Sequence, residues 1–346
     1  MRILVVRLTS LGDVVHTIPV VAALRRACPD ARIDWLVDER YRELVQLVPI
    51  VDHAIVPHTD SGAGWGGLTR VVRQLRATRY DVALDLQGLL KSAALAWFSG
   101  AGRVIGFEPA HLREPWARWL YTETPNIGQP VHVIEKNLAL AASLGARSEE
   151  WEFPIDERSS ATVARDLLGL QPAQAFALIN PGSAWSSKCW PPERYGALAS
   201  QLSSKEGLRS VVSWGPGEEA RAQAVADASS GSAVLTPPTG VADLVALARA
   251  ASIMVSGDTG PLHIAAAVRT PVVGVYGPSD PCRNGPWADA DVVVSRFEDC
   301  ACQRARPGSG GVVVRRCEQT RPCLDDISVD DVANAVARRL RAITHA

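Results

Sequence analysis

Short apolar runs rich in β-branched residues recur along this chain, each followed by a polar turn and a helix-length segment. Arg2–Val6, Ile33–Val37, Ala54–Val56 and Val82–Leu86 form one series, and Phe176–Ile179, Ser210–Trp214, residues 233–235 and Val272–Tyr276 form a second. Runs this short and apolar suit strands buried on both faces, and strand–helix alternation brings each strand back parallel to the last. The pattern predicts an α/β chain with parallel, doubly wound sheets covered by helices on both faces. At 346 residues there is room for two domains, each with its own core. Predicted helices lie at Tyr41–Leu47, Leu68–Leu75, Glu135–Leu144, 193–203 and 241–250. Pro154 and Pro172 mark a linker near 150–172, so the expected boundaries are 1–155, 172–326 and a C-terminal helix in 327–346. That last helix carries Val332, Val336, Leu340 and Ile343 at helical spacing.

Composition removes several classes. A net charge of −1 with 47% apolar residues describes neither a nucleic-acid binder by overall charge nor a disordered chain. Met1–Arg7 enters the first strand directly, which predicts no leader, and no apolar run reaches the roughly 18 residues of a membrane span. The expected compartment is the cytoplasm. The first loop, Arg7–Asp13, has a glycine but neither GxGxxG nor GK[ST], which argues against a nicotinamide enzyme and a P-loop NTPase. Four cysteines at 300, 302, 317 and 323 are spaced C-x-C and C-x5-C, whereas zinc sites favour C-x2-C. Free thiols are the expectation, with no metal and no cofactor.

The polar loops after the strands carry the chemistry. Ser256–Ala267, SGDTGPLHIAAA, reads as a strand end, a turn and a helix in which Asp258 or Thr259 can cap and Pro261 fits the first turn. Helix N–H groups leaving the carboxyl end of a parallel sheet can bind an anion. A second loop, Asn180–Trp190, holds Lys188, one of four lysines beside 32 arginines, and an ammonium pairs with phosphate as a point charge. Asp13 stands on the loop leaving the first strand. The following helix contains Pro19, which either kinks it or sits in its first turn behind Thr17. Glu218 or Glu219 can accept hydrogen bonds from a ribose or can simply open the next helix. Arg103–Arg118 sets arginines among Phe107, Trp116 and Trp119, a composition that suits an acidic ligand with an apolar portion or a surface of snorkelling arginines.

Taken together, RLTSLGDVVHTIPV at Arg7–Val20, YDVALDLQGLLKSA at Tyr80–Ala93, REPWA at Arg113–Ala117, HVIEKN at His132–Asn137, NPGSAWSSKCWP at Asn180–Pro191, WGPGEE at Trp214–Glu219, GDTGPLHIAAA at Gly257–Ala267 and VYGPSDP at Val275–Pro281 resemble the ADP-heptose:lipopolysaccharide heptosyltransferases, glycosyltransferase family 9. The resemblance implies the GT-B fold, two Rossmann-like domains facing across a cleft, the first binding acceptor and the second the nucleotide sugar. It implies inverting, metal-independent transfer of heptose from ADP-heptose to a Kdo sugar on nascent lipid A, by a protein peripheral to the inner face of the inner membrane. A later core heptose as acceptor, or another nucleotide sugar, is the alternative. By the same resemblance Asp13 is the general base and Lys188 holds the diphosphate. Ser183, Glu218, Asp258, Thr259, Gly260 and His263 belong to the donor site, and Ser10, Gly12, Lys91 and Arg113 to the acceptor side.

Overall fold

The computed structural model describes residues 1–57, 64–156, 174–300 and 322–344. The chain divides into two compact units, Met1–Asp156 and Glu157–Ala346. Most of the linker expected near 150–172 lies outside the described residues, as do Cys302 and Cys317.

In the first unit, strands β1 (Arg2–Val6), β2 (Arg32–Leu36), β3 (His53–Ile55), β4 (Val82–Asp85) and β5 (Arg103–Ile105) form a sheet in the order β3-β2-β1-β4-β5. All neighbours are parallel, with Ile3 level with both Ile33 and Val82. Apart from the exposed Arg2, β1 is buried throughout, as is β4, which explains their continuous apolar runs. Between the strands lie α1 (Leu11–Val15), α2 (Ile18–Ala27), α3 (Arg42–Gln46), α4 (Gly64–Thr78) and α5 (Leu90–Phe98), and α6 (Val133–Ala141) follows β5. Pro19 takes the first-turn alternative: Thr17 is the cap residue of α2, and its hydroxyl donates to the Asp13 carbonyl at 2.9 Å. The chain therefore breaks between α1 and α2, and Asp13 stays on a short turn of helix at the end of β1.

The second unit repeats the winding. Strands β6 (Phe176–Asn180), β7 (Arg209–Val212), β8 (Ala233–Leu235), β9 (Ile253–Gly257), β10 (Val272–Tyr276) and β11 (Val292–Ser295) order as β11-β10-β9-β6-β7-β8, all parallel. Its helices are α7 (Pro192–Glu206), α8 (Glu219–Asp227), α9 (Val241–Ala250), α10 (Gly260–Ala267), α11 (Pro281–Asn284) and α12 (Val329–Thr344). The terminal α12 is amphipathic as its spacing predicts. Val332 and Val336 are fully buried against the core that contains Trp190, whose indole N–H donates to the Ile327 carbonyl at 3.0 Å.

In both sheets the first strand of the unit is central, and the chain winds outward to one side before crossing to the other. The direction reverses between β1 and β4 in the first sheet and between β6 and β9 in the second. Ligands of open α/β sheets bind beyond the carboxyl ends of such strand pairs, because the flanking loops diverge there and leave a crevice. Four loops are thereby singled out: those after β1, β4, β6 and β9.

Two short edge strands, β5 and β11, have no counterpart in the sequence reading. Arg103 is on β5 rather than in a ligand-facing loop, and its guanidinium grips Glu123 through bonds of 2.6 and 2.8 Å. That removes Arg103 from the expected arginine–aromatic ligand surface, since both faces of its fork are occupied by a carboxylate on the next segment.

Candidate active site

At the reversal point of the first unit, Asp13 sits in the first turn of α1 with about a third of its side chain exposed. One carboxylate oxygen receives the Arg7 guanidinium at 2.5 Å. The other receives the Ser10 hydroxyl at 2.9 Å and the Ser10 backbone N–H at 3.1 Å. These bonds hold the Asp13 carboxylate in place as an acceptor at the end of β1. Arg7, buried at the end of β1, also donates to the Leu86 carbonyl in the loop after β4. From that loop Gln87 reaches back, its side-chain oxygen accepting the Leu8 and Thr9 N–H groups at 2.7 and 3.3 Å. The loops after β1 and β4 are therefore tied together in both directions, and the orientation of Asp13 is fixed by its neighbours rather than by its own torsions.

What holds the second of these loops is Asp85, fully buried at the end of β4. It accepts the Gln87 N–H at 2.9 Å, the Gly88 N–H at 3.3 Å, the Ser92 hydroxyl at 2.9 Å and the Tyr121 hydroxyl at 2.7 Å. Burial raises its pKa above the ordinary carboxylate range, and these neutral donors offset the rise only in part. Lys91, on the exposed side of the first turn of α5, is close enough to Asp38 in the loop after β2 to help lower that carboxyl, behind the larger effect of the Arg40 hydrogen bond. Arg113 is exposed and precedes Glu114, whose carboxylate accepts the Leu90 N–H at 2.7 Å at the start of α5.

The second unit presents a different constellation at its own reversal point. The loop after β6 carries Lys188 at the end of a 3₁₀ turn, Ser186–Lys188, and lies so close to β9 that a Cβ on Gly257 would stand 2.9 Å from the Lys188 carbonyl. Glycine is required there because the two backbones nearly touch. The Lys188 ammonium consequently reaches the Asp258 carboxylate in the loop after β9 and forms an ion pair with it. Asn284, from α11, donates to the other Asp258 oxygen at 2.5 Å, and the His263 ring lies 3.4 Å away. Burial would raise the Asp258 pKa, but the His263 hydrogen bond and the charges of Lys188 and His263 outweigh it and hold the carboxyl far below its usual range.

This arrangement corrects one local expectation. Asp258 does not cap the helix, and Thr259 occupies the cap position of α10 without a side-chain cap bond, its hydroxyl pairing with Ser256 at 2.9 Å. The cap residue makes no side-chain bond to the N-terminus of α10, so its first turn keeps the anion-binding character expected of it, with Gly260 and Pro261 as the first helical residues. Lys188 retains two N–H donors beyond its bond to Asp258. Ser183 lies on the same loop, its hydroxyl accepting the Trp185 N–H at 3.4 Å. Glu218 occupies the cap position of α8 beyond β7, and one of its oxygens accepts the Gly215 N–H at 3.0 Å. Its carboxylate lies directly over Gly182, where a Cβ would meet it at 2.1 Å, so the loops after β6 and β7 are also in contact.

Part of the sequence-predicted set thus lies at or beside the strand-order reversal of each unit, whereas Arg113 lies beyond β5. Asp13, Ser10 and Gly12 share α1 and its cap in the first, and Lys188, Asp258, Thr259, Gly260, His263, Ser183 and Glu218 border the loops of the second. Three further residues belong to the constellation without having been marked in the sequence: Arg7, Asn284 and the loop-holding Asp85. A buried arginine ending a β-strand was the available signal for Arg7, because a guanidinium is not left there without an anion. Among the described residues, no group of histidine, cysteine and acidic side chains has the arrangement of a metal site, and Cys300 is a buried free thiol. No helix among the described residues is long and apolar enough to cross a membrane.

Comparison with known proteins bears on the chain as a whole. Residues 68–310 match the description "Glycosyltransferase family 9 (heptosyltransferase)". Lipopolysaccharide heptosyltransferase 1 of Salmonella typhimurium is 32% identical over 292 residues, which are 81% of this chain and 90% of the relative. The Pseudomonas aeruginosa protein of the same name is 28% identical over 312 residues, 87% and 85% of the two chains. Among solved structures, E. coli heptosyltransferase WaaC with ADP superposes with a TM-score of 0.77 at 25% identity, covering 98% of this chain and all of that one.

Proposed function

This chain belongs to glycosyltransferase family 9 and has the α/β architecture of its GT-B heptosyltransferases; from that premise we propose that it moves heptose from ADP-heptose onto a Kdo residue of the nascent lipopolysaccharide inner core. The observation that carries the reading is the pairing of Lys188 with Asp258 beneath an uncapped helix N-terminus. Such a site suits the diphosphate of a nucleotide sugar, and a related protein of 25% identity is known as a heptosyltransferase with ADP bound.

In the proposed reaction the acceptor hydroxyl oxygen attacks the anomeric carbon of the heptose. The bond from that carbon to the β-phosphate oxygen breaks, ADP leaves with the electron pair, and configuration inverts. The hydroxyl proton passes to Asp13, whose carboxylate is held by Arg7 and Ser10 at the end of β1. Negative charge grows on the departing phosphate, where the Lys188 ammonium and the first N–H groups of α10 stabilise it. Asp258 accepts from Lys188, Asn284 and His263, and its part is to aim the ammonium. Thr259, Gly260 and Ser183 border the phosphate position and Glu218 the ribose. Lys91 and Arg113 are the cations offered to an acidic acceptor. Because that acceptor is lipid-borne, the protein works at a membrane surface, on its cytoplasmic side, without spanning it.

Mass-spectrometric detection of heptose transfer from ADP-heptose tests the proposal, with deacylated Kdo₂–lipid A beside an acceptor already carrying one heptose. Transfer to the bare Kdo acceptor is expected. Transfer only to the heptose-bearing acceptor moves the enzyme to a later core step, and transfer to neither removes heptose as the donor sugar.

A further inference from the structure

The first unit exposes an apolar face that its fold does not use. On α5 the outward positions are Leu90, Lys91, Trp97 and Phe98, with Ala94 half-buried between them, which is the spacing of one helix face. Leu90, Trp97 and Phe98 are 49%, 46% and 44% exposed. Packed beside α5 is the 3₁₀ turn Pro115–Leu120. With three residues per turn, Trp116 and Trp119 project from the same side of it, and they are 74% and 77% exposed. The two elements are joined by the Glu114 carboxylate on the Leu90 N–H at 2.7 Å. Five large exposed apolar side chains thus lie on two elements that pack against each other. Isolated exposed apolar residues need no explanation, but a contiguous group marks something that covers it.

The charge around this face identifies its occupant. Lys91 lies on it, Arg113 and Arg118 flank the tryptophans in sequence, and Arg76 of α4 donates to the Phe98 carbonyl at 3.1 Å at its far end. Glu114 is the acid among them, and its carboxylate is turned onto the α5 N-terminus. Tryptophan prefers the boundary between hydrocarbon and headgroups, and lysine and arginine at that level meet anionic lipid. The face also begins at Leu90 and Lys91, in the first turn of the helix that leaves the loop holding Gln87, and so starts at the rim of the proposed acceptor region. We infer that the α5 and Pro115–Leu120 face is a docking surface for an anionic lipid bilayer, with Trp97, Phe98, Trp116 and Trp119 at the headgroup level and Arg76, Arg113 and Arg118 as its cationic border. The inference deepens the membrane reading given above and rests on it for its purpose.

Co-sedimentation of the full chain with phosphatidylethanolamine–phosphatidylglycerol vesicles tests it, with phosphatidylcholine vesicles as the neutral arm. The wild-type chain is expected to be retained on the anionic vesicles, with retention weakened by salt. Trp116→Ser with Trp119→Ser, and separately Trp97→Ser with Phe98→Ser, are each expected to weaken retention at least about tenfold, the scale of losing one or two interfacial anchors. Transfer to a water-soluble deacylated acceptor is expected to be unchanged in both variants. Absence of wild-type retention, or equal retention of both double variants, overturns the inference. A concentration-dependent dimer that either double variant dissolves assigns the face to a second copy and overturns it as well. Loss of soluble-acceptor transfer in the variants, matching their loss of retention, gives the face to the acceptor site instead. Failure of the wild-type enzyme to transfer heptose at all counts against the proposed reaction and leaves the vesicle result to stand alone.

Discussion

Asp85 and Asp258 occupy corresponding places in the two units: each lies at or just beyond the carboxyl end of the strand across the reversal point, and each is buried. Their partners differ. Asp85 is held by two hydroxyls and two backbone N–H groups, all neutral, and its pKa rises with burial. Asp258 is held by an ammonium, an amide and an imidazole, and its pKa falls despite burial. A carboxylate satisfied by neutral donors fixes a loop, because its lone pairs are spent on the backbone and side chains of that loop. A carboxylate paired with a lysine keeps an ammonium aimed at one spot. The first unit therefore spends its buried acid on positioning Gln87 and, through it, the loop of Asp13, whereas the second spends its own on an anion site.

The widest expected separation between the units is in catalysis. Asp13→Ala should lower heptose transfer by roughly 10²–10⁴-fold, the usual worth of a general base, while leaving ADP affinity unchanged. Turnover by mass spectrometry beside calorimetric titration of ADP checks both halves, and retained turnover removes Asp13 from the base role. Lys188→Ala should cut turnover by about 10²–10³-fold, as loss of a transition-state charge partner does, and weaken ADP binding too. If ADP affinity survives that change, the comparison fails on the side of the second unit.

Stability gives a smaller contrast. Asp258→Asn leaves the Lys188 ammonium uncompensated in a site where the lysine side chain is 19% exposed. A loss of about 3 kcal/mol is expected, at the low end for breaking a buried pair, read by urea unfolding. Tyr121→Phe removes one of the donors to Asp85 and should cost about 1.5 kcal/mol, the worth of one hydrogen bond to a charged group.

The pH dependence should separate the two acids by sign. Asp258 has a folded pKa below its unfolded value of about 3.9, so the unfolded chain binds more protons in the acid range. Its contribution is complete above that value and is lost as pH falls below it, so wild type and Asp258→Asn should converge in acid. Asp85 has the opposite shift, and the folded chain binds more protons between about pH 3.9 and the raised pKa. Its contribution falls as pH rises through that window, so the stability gap between wild type and Asp85→Asn should be larger in acid. Urea unfolding of both variants across the acid range measures it, and two curves of the same slope would erase the distinction.

Much of this was legible in the primary structure. Buried parallel strands such as Phe176–Asn180 and Val272–Tyr276 announce themselves because both faces must be apolar, and α12 because its apolar positions keep helical spacing. Edge strand β5 was hidden because a three-residue run headed by an arginine does not differ locally from loop. The Val292–Ser295 run is short, and only its pairing with β10 makes it a strand. Asp13, Lys188 and Asp258 stand out as polar residues at strand ends, and the family motifs attach roles to them.

The sequence by itself determined the alternation of strands and helices, and with it the placing of polar loops at the carboxyl ends of parallel sheets. Both follow from residue spacing and local backbone chemistry, which act over a few positions. Which residues meet across those loops was decided by tertiary structure alone. Lys188 reaches Asp258 over 70 positions because a glycine lets two backbones nearly touch. Arg7 finds the Leu86 carbonyl over 79 because β1 pairs with β4. The exposed tryptophans come from neighbouring elements because a 3₁₀ turn lies against α5. Such contacts depend on strand order and close approach, and neither is written in the spacing of residues along one segment.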